Sequence, residues 1–196
     1  MDQTVKQAIA KWPNVPHCYG WLGLDARGNW RMRDERAQRL GLAGDKIVHP
    51  ALLGFIERNY THDERGCWFF QNGPQRVYVN LESTPYIART DPQHDFILHT
   101  GAALGPVEEI FLTDSGDLIL SDGAIVAQLD DRDLAQVMAA FQSGARAVSD
   151  EGLLAWLADG ASALGLCHRG RDIEVQRLGR AEVDGRFAFV RLPQPA

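Results

Sequence analysis

The most regular pattern of apolar and polar positions lies between residues 66 and 101. Residues 67–70 are mostly aromatic, residues 76–81 alternate apolar and polar side chains, and residues 96–98 are apolar. Aromatic and β-branched residues fit a pleated, half-buried surface, and the Asn72-Gly73 pair between the first two segments favours a tight turn. The pattern predicts an antiparallel meander of three strands.

Other segments repeat these signals before and after the meander. Apolar residues at helical spacing predict four helices, over residues 4–12, 49–60, 130–141 and 151–158. Alternating segments around Asp/Gly turns predict hairpins over residues 19–33 and 109–123, and further strands over residues 124–129, 164–168, 172–178 and 186–192. These elements predict an α+β protein.

The order of elements occurs twice along the chain. Residues 21–34 resemble residues 111–122 in pattern, residues 67–79 resemble 166–175, and residues 96–98 resemble 187–189. We therefore predict two β-rich units of similar order (hairpin, helix, antiparallel meander), an N-terminal unit of residues 1–105 and a C-terminal unit of residues 106–196. Two readings stay open: an internal structural repeat, or a common order of elements that arose by chance.

Four short stretches carry a family resemblance: Gly28-Asn-Trp30, Pro50-Ala-Leu-Leu53, Gly66-Cys-Trp68-Phe, and the strand that runs from Val77 to Tyr86. They resemble a bacterial family known as domain of unknown function 1285, or a related, separately named proteobacterial family. The resemblance implies a fold of repeated α+β motifs and a suggested role in signal transduction. The chain departs from the family pattern at Ser83, where an acidic residue is expected, and in the turn over residues 72–76.

Charge and cysteine content exclude several classes of protein. The net charge is −6 and the pI is about 5.5, so we expect no nucleic-acid partner. No apolar run is long enough to predict a membrane span. The three cysteines lie far apart, and the first residues lack a secretory pattern, so we expect a reduced, cytoplasmic setting.

Charge also divides the chain. Residues 1–105 carry 12 basic against 11 acidic residues, and residues 106–196 carry 8 against 15. Five arginines concentrate around the first hairpin: Arg27, Arg31, Arg33, Arg36 and Arg39. A solvated face explains them most simply. The alternatives are docking of an anionic ligand, or of the acidic half of a second copy, which would make a homo-oligomer.

Histidines and cysteines suggest a metal hypothesis that their spacing does not support. His17, Cys18, Cys67, His94, His99, Cys167 and His168 include no Cys-x-x-Cys or His-x-x-x-His pair. Neither Cys18 nor Cys67 lies at a strand-to-helix elbow typical of a nucleophile. We therefore expect no metal and no cofactor.

The most promising polar residues lie on or beside the central meander. They are Arg76, Tyr78, Glu82, Tyr86 and His99. We predict that they line a ligand-binding cleft at the boundary between the two units, because such boundaries commonly form pockets. The preferred function is a module that binds a small molecule or a protein partner. The alternative is an enzyme of unknown class that uses Glu82, His99 and Arg76.

Overall fold

A computed structural model describes residues 1–144, 146–160 and 163–195, and it forms two compact units. Unit 1 contains residues 1–85 and 187–196, and unit 2 contains residues 86–186. The chain therefore changes units at residue 86, earlier than the boundary expected between residues 105 and 106, and it returns to unit 1 at its end. The physical reason is strand pairing, because residues 86–91 bond to strands of unit 2.

Unit 1 contains one six-stranded sheet and three helices. Its helices are α1 (Gln3–Lys11), α2 (Glu35–Arg39) and α3 (Pro50–Arg58). Its strands are β1 (Cys18–Leu24), β2 (Trp30–Met32), β3 (Asp45–Lys46), β4 (Tyr60–His62), β5 (Trp68–Asn72) and β6 (Gln75–Leu81). Pro50 stands in the first turn of α3, where its missing N–H costs no helical hydrogen bond.

The strand order of unit 1 is β3-β2-β1-β6-β5-β4. All neighbours are antiparallel except β1 and β6, the central pair, which are parallel. The pairing of β5 with β6 agrees with the predicted meander. The third predicted strand, residues 96–98, instead belongs to the sheet of unit 2, since it pairs with residues 86–91.

Unit 2 contains a nine-stranded sheet. Its first strands are β7 (Tyr86–Asp91), β8 (Asp95–Leu98), β9 (Glu109–Thr113), β10 (Leu118–Ser121) and β11 (Val126–Leu129). Then follow α4 (Asp131–Met138), β12 (Phe141–Ser143), β13 (Arg146–Ala147), α5 (Asp150–Asp159), β14 (Gly165–His168), β15 (Arg171–Leu178), a 3-10 turn (Arg180–Glu182) and α6 (Val183–Arg186). Its core includes Ile110, Leu118, Leu120, Phe141 and Trp156.

The capping residues of two helices in unit 2 explain where these helices begin. The Asp130 carboxylate is fully buried, accepts a hydrogen bond from the Arg132 amide and pairs with the Arg132 guanidinium at the start of α4. Burial opposes this charge, but the contacts with Arg132 outweigh it and lower the pKa of Asp130 to about 2. At α5, the Ser149 hydroxyl accepts from the Gly152 amide. Both residues are N-caps, which satisfy amides that have no partner within the helix.

The two sheets share one strand order. In unit 2, the run β11-β10-β9-β15-β14-β12 follows the run β3-β2-β1-β6-β5-β4 of unit 1 strand by strand. In both runs the central pair is parallel and the other pairs are antiparallel. A helix, α3 or α4, precedes the strand at the same end of each run. A structural repeat that arose from one ancestral unit stays a prediction.

The end of the chain differs from the strand predicted over residues 186–192. Residues 187–192 form one isolated bridge, between Cys67 and Val190, and Arg191 accepts a hydrogen bond from the Leu81 amide. This C-terminal segment therefore lies beside Cys67, the residue before β5, and bonds to the last residue of β6. It comes very close to Gly66, since a methyl group on Gly66 would lie 2.2 Å from the carbonyl oxygen of Ala188.

Candidate functional site

A cleft of about 630 Å³ opens on unit 1 at the first hairpin. Side chains of β1, β2, β6 and the loop over residues 41–43 line it, together with Leu192 and Gln194 from the C-terminal segment. Its polar lining residues are Asp25, Arg31, Arg33, Gln38, Asn80, Glu82 and Gln194. Its apolar lining residues are Tyr19, Leu24, Leu42, Ala43, Leu81 and Leu192. We call it the β1 cleft.

Strand register explains why this surface is concave. Gly23 on β1 is paired with Arg31 on one side and with Asn80 on the other, so all three residues belong to one row on one face of the sheet. Gly23 has no side chain, and the side chains of its two neighbours rise beside it. A methyl group at Gly23 would meet its nearest neighbours at 3.5 Å or more, which is ordinary contact. Gly23 forms the floor of the cleft, although its backbone conformation does not require a glycine.

The two arginines of the cleft differ in their partners. Arg31 donates from Nε to Asp25 Oδ2 at 2.8 Å, and its Nη2 lies 2.8 Å from the same oxygen. Arg33 donates only to main-chain carbonyls, from Nε to Leu42 at 3.1 Å and from Nη1 to Gly20 at 3.5 Å. Among the described residues, no carboxylate pairs with Arg33. Since a guanidinium has five N–H donors, Arg33 keeps several for a ligand.

Charge is polarised along the cleft. The Arg33 amide bonds to the Trp21 carbonyl, and the Glu82 amide bonds to the Leu24 carbonyl. Trp21 and Leu24 are three positions apart on β1, so the basic and acidic ends lie roughly 10 Å apart at about 3.3 Å per residue. Asn80 lies between them, and within the part of the chain that is described its side chain makes no hydrogen bond.

Asp25 is held in its ionised form. Burial opposes the charge, but hydrogen bonds from Asn29, Arg31 and Arg27 outweigh burial and lower the pKa of Asp25. The same carboxylate accepts from the Arg27 and Asn29 amides at 3.0 and 2.8 Å, which fixes the turn between β1 and β2. Asp25 therefore both shapes the turn and neutralises Arg31.

The sequence matches the family model DUF2944, described as "Protein of unknown function (DUF2946)", over residues 1–194. The chain belongs to the DUF2944 family. No protein with a curated description matches the sequence.

Two solved structures resemble this DUF2944 member. The crystal structure of a DUF1285 family protein from Silicibacter pomeroyi DSS-3 has a TM-score of 0.50 and 13% identity, over 90% of this chain and 96% of that chain. A DUF1285 family protein from Shewanella baltica OS155 has a TM-score of 0.39 and 16% identity, over 59% of this chain and 88% of that chain. The resemblance to DUF1285 that the sequence motifs indicated is thus confirmed. At 13% identity, the first match shows a shared fold and nothing about activity.

Of the five predicted site residues, Glu82 lines the β1 cleft of this DUF2944 member. Glu82 is exposed, and its Oε2 accepts a hydrogen bond from the Ala26 amide at 3.1 Å. Arg76 and Tyr78 do not line the cleft, although they also lie on β6. The Arg76 guanidinium lies 4.7 Å from the centre of the Phe69 ring, and Tyr78 is buried.

Tyr78 belongs to an aromatic cluster with a charged anchor. Its ring stacks on Tyr19 at 4.5 Å, and its hydroxyl donates to Asp63 Oδ2 at 2.9 Å. Burial raises the pKa of Tyr78, so the phenol stays protonated as a donor at neutral pH. Asp63 also accepts from the Cys67 and Arg65 amides. These contacts explain Tyr78 as a structural residue.

Tyr86 and His99 lie in unit 2 and contact each other. Their ring centres are 5.9 Å apart, and His99 Nδ1 accepts a hydrogen bond from the Ile87 amide at 3.2 Å. Burial raises the pKa of Tyr86. A site shared by all five predicted residues stays a prediction, since Glu82, Arg76 and Tyr78 belong to unit 1.

Sequence reasoning did not single out Gly23 or Asn80. It named Arg33 only as one of five clustered arginines, for which a solvated face was preferred over the docking of an anionic ligand. The signal that it joins a concave site is the pairing of β1 with β6, a parallel contact between residues 57 positions apart in the Gly23–Asn80 pair. No periodicity within either strand encodes that pairing.

The described residues offer no evident metal centre. Across them, no group of three or more His, Cys, Asp or Glu side chains is close enough to hold an ion. All three cysteines are free, and burial raises the pKa of Cys67. None of the helices described is long and apolar enough to cross a membrane.

Proposed function

We propose that unit 1 is a binding module for a small organic molecule that carries a carboxylate, and that this carboxylate binds Arg33 in the β1 cleft. The observation that supports it is that the two arginines of the cleft differ in their partners. Arg31 is neutralised by Asp25, whereas Arg33 has no carboxylate partner among the described residues. A guanidinium with free donors in a cleft favours a planar anion, because its fork matches a carboxylate.

The shape of the cleft supports a small ligand. A volume of about 630 Å³ falls within the range of roughly 300–1,000 Å³ that is usual for small-molecule sites. Leu24, Leu42 and Leu192 form apolar walls of the cleft, and the side-chain amide of Asn80 can bond to a ligand. We expect a ligand with an apolar body, its carboxylate at the Arg33 end and a hydrogen-bond donor toward Glu82.

Overall charge supports an anionic ligand in this unit. Unit 1 carries 12 basic and 9 acidic residues, a net charge of +3, whereas unit 2 carries 8 and 17, a net charge of −9. A basic surface raises the local concentration of anions and their rate of association.

The state of Asp25 favours binding over acid–base catalysis. A general base works best when its pKa lies near the working pH. The pKa of Asp25 is instead lowered by its hydrogen bonds with Asn29, Arg31 and Arg27, although burial opposes them. We therefore infer a non-catalytic, cytoplasmic module, with the signalling role suggested by the DUF1285 resemblance as its broader context.

A titration with two matched fragments tests the proposal. Benzoate carries the carboxylate, and benzamide has nearly the same shape without the charge. In ¹H–¹⁵N NMR spectra, benzoate should shift the amides of Gly20, Gly23, Leu42 and Asn80 with a saturable, millimolar dissociation constant, and benzamide should not. Equal shifts with both fragments, or none in the cleft with benzoate, would contradict the proposal.

Three variants locate the binding group. R33Q should weaken benzoate binding at least about tenfold, because a charged hydrogen bond contributes about 1.5–3 kcal/mol. R36Q removes the same charge from the exposed face of α2 outside the cleft and should bind as the wild type does. G23A should fold normally and weaken binding about fivefold or more, because its methyl group fills the floor of the cleft, where overpacking costs about 1–3 kcal/mol.

A further inference from the structure

The C-terminal segment forms one wall of the β1 cleft. Leu192 and Gln194 are the lining residues that it supplies, and they lie far along the chain from the strands that supply the rest. The segment contains neither helix nor strand. Its place in the cleft therefore depends on individual contacts with the sheet of unit 1.

Two main-chain hydrogen bonds hold the segment immediately before it reaches the cleft. The Val190 amide donates to the Gly66 carbonyl at 3.0 Å. The Leu81 amide donates to the Arg191 carbonyl at 2.8 Å. Because Leu192 directly follows the second of these bonds, its main chain is held beside the end of β6.

Leu192 is exposed although the residues on either side of it are held. Its exposed fraction is 60%, whereas Pro193, the next residue, is buried. Leu42, whose carbonyl accepts from Arg33, also lines the cleft and is 47% exposed. Single exposed leucines are ordinary, but exposed apolar side chains that share a cleft with a polar rim mark a ligand site. The apolar part of a ligand would cover both leucines.

Leu192 and Arg33 lie toward opposite ends of the cleft. The Arg33 amide bonds to the Trp21 carbonyl. Leu192 follows the residue that bonds to Leu81, and Leu81 is paired with Leu24 at the end of β1. The two positions on β1 are three residues apart, roughly 10 Å at about 3.3 Å per residue. A ligand that contacts both ends would therefore lie along β1.

The floor between these ends suits an unbranched chain. Gly20 and Gly23 of β1 present no side chain to the cleft, and Arg31 and Asn80 flank Gly23 on the neighbouring strands. Adjacent strands lie about 4.7–4.9 Å apart, so the groove over Gly23 is one strand wide. A methylene chain fits such a groove better than a branched or fused-ring body does.

We infer that the ligand of the β1 cleft is a straight-chain aliphatic carboxylate, and that Leu192 contacts the far part of its chain and sets the chain length that binds best. The inference rests on the proposed binding of the carboxylate to Arg33. Each methylene group that leaves water on binding should strengthen binding by up to about fourfold. This gain should end where the chain passes Leu192 and returns to water.

Butanoate and octanoate form the probe pair, because an extended octanoate chain is long enough to approach Leu192 from Arg33 and butanoate is not. In ¹H–¹⁵N NMR titrations, octanoate should bind the wild type at least about tenfold more tightly than butanoate. Octanoate should also shift the Leu192 and Gln194 amides, which butanoate should leave unmoved. L192A should reduce the preference for octanoate about fivefold. L52A removes an exposed leucine from α3, outside the cleft, and should keep the wild-type preference.

G66A provides a second readout, because displacing the segment removes Leu192 from the cleft without altering its side chain. Its preference for octanoate should fall as that of L192A does, whereas G101A, with a similar left-handed φ in unit 2, should keep it. The same preference in the wild type and L192A, or unmoved Leu192 and Gln194 amides, would overturn the inference. Benzoate binding that requires Arg33 would then still stand. If neither the two probes nor benzoate bind in a way that R33Q weakens, the proposed function fails as well.

Discussion

At the scale of single residues, what separates a structural polar group from a functional one is whether its bonds are complete. Tyr78 was predicted to bind a ligand because it lies among polar residues on β6, yet it is buried and its hydroxyl donates to Asp63. Arg33 lies on a neighbouring hairpin, and its side chain bonds only to carbonyls. Tyr78 and Arg33 therefore differ in their hydrogen-bond partners, and these partners cannot be read from the sequence.

The structural role of Tyr78 predicts a loss of stability in Y78F. Removing its hydroxyl leaves Asp63 with one donor fewer, and bonds to charged groups contribute about 1.5–3 kcal/mol against about 0.5–1.5 kcal/mol for neutral ones. Y60F is the matched control, because the Tyr60 hydroxyl donates to the neutral Pro85 carbonyl at 2.9 Å. Urea unfolding followed by tryptophan fluorescence should show the larger loss for Y78F. A smaller loss for Y78F than for Y60F would refute this.

His168 predicts a pH dependence of stability. Burial lowers its folded-state pKa below about 6.5; Arg169 and Arg171 act in the same direction, and Asp95 opposes them. The unfolded chain then binds the proton more readily, so stability should fall as the pH drops below about 6.5 until it passes the folded pKa. H168Q lacks this titration, and the gap between its urea midpoint and that of the wild type should change between pH 7.5 and pH 5. A constant gap would contradict the assignment.

At the scale of elements, the sequence predicts most helices and strands but not their partners. Helices expected over residues 4–12 and 49–60 form at Gln3–Lys11 and Pro50–Arg58, because their apolar spacing and proline signals are local. The parallel pairing of β1 with β6 and of β7 with β11 is set by contacts distant in sequence. The floor of the β1 cleft depends on the pairing of β1 with β6. The local pattern predicts each strand but not this pairing, so the cleft could not be predicted from the sequence.

The C-terminal segment predicts a strong effect of one methyl group. G66A would combine a left-handed φ of 74° with a contact 2.2 Å from the Ala188 carbonyl oxygen, so the segment must leave its place beside β5. G101A is the control, because its φ of 81° brings the same strain, about 1–2 kcal/mol, without any atom within 4 Å. Limited proteolysis should release the C-terminus of G66A much faster than that of G101A. Equal rates would count against the docked segment.

At the scale of the whole molecule, two units of opposite charge share one strand order. The net charges of +3 and −9 predict self-association in which the Arg-rich hairpin of one copy contacts the acidic unit of another. Arg27, Arg36 and Arg39 are exposed and suit such a contact, whereas Arg31 is paired with Asp25.

Salt should weaken this self-association, because the Debye length falls from about 30 Å at 0.01 M to about 3 Å at 1 M. Sedimentation velocity should show a larger species at low ionic strength and a monomer at high ionic strength. A monomer under both conditions would remove the prediction, and the R27Q/R36Q/R39Q variant should be monomeric throughout.

The central claim is that Arg33 binds the carboxylate of a ligand in the β1 cleft. The most direct measurement is a ¹H–¹⁵N spectrum of the arginine Nε groups during a benzoate titration, assigned with R33Q and R31Q. We predict that the Arg33 Nε signal shifts saturably, with the same dissociation constant as the Gly23 amide, while Arg31, held by Asp25, and the exposed Arg36 and Arg39 do not. An Arg33 signal that stays unmoved, or that moves no more than those of Arg36 and Arg39, would contradict the claim.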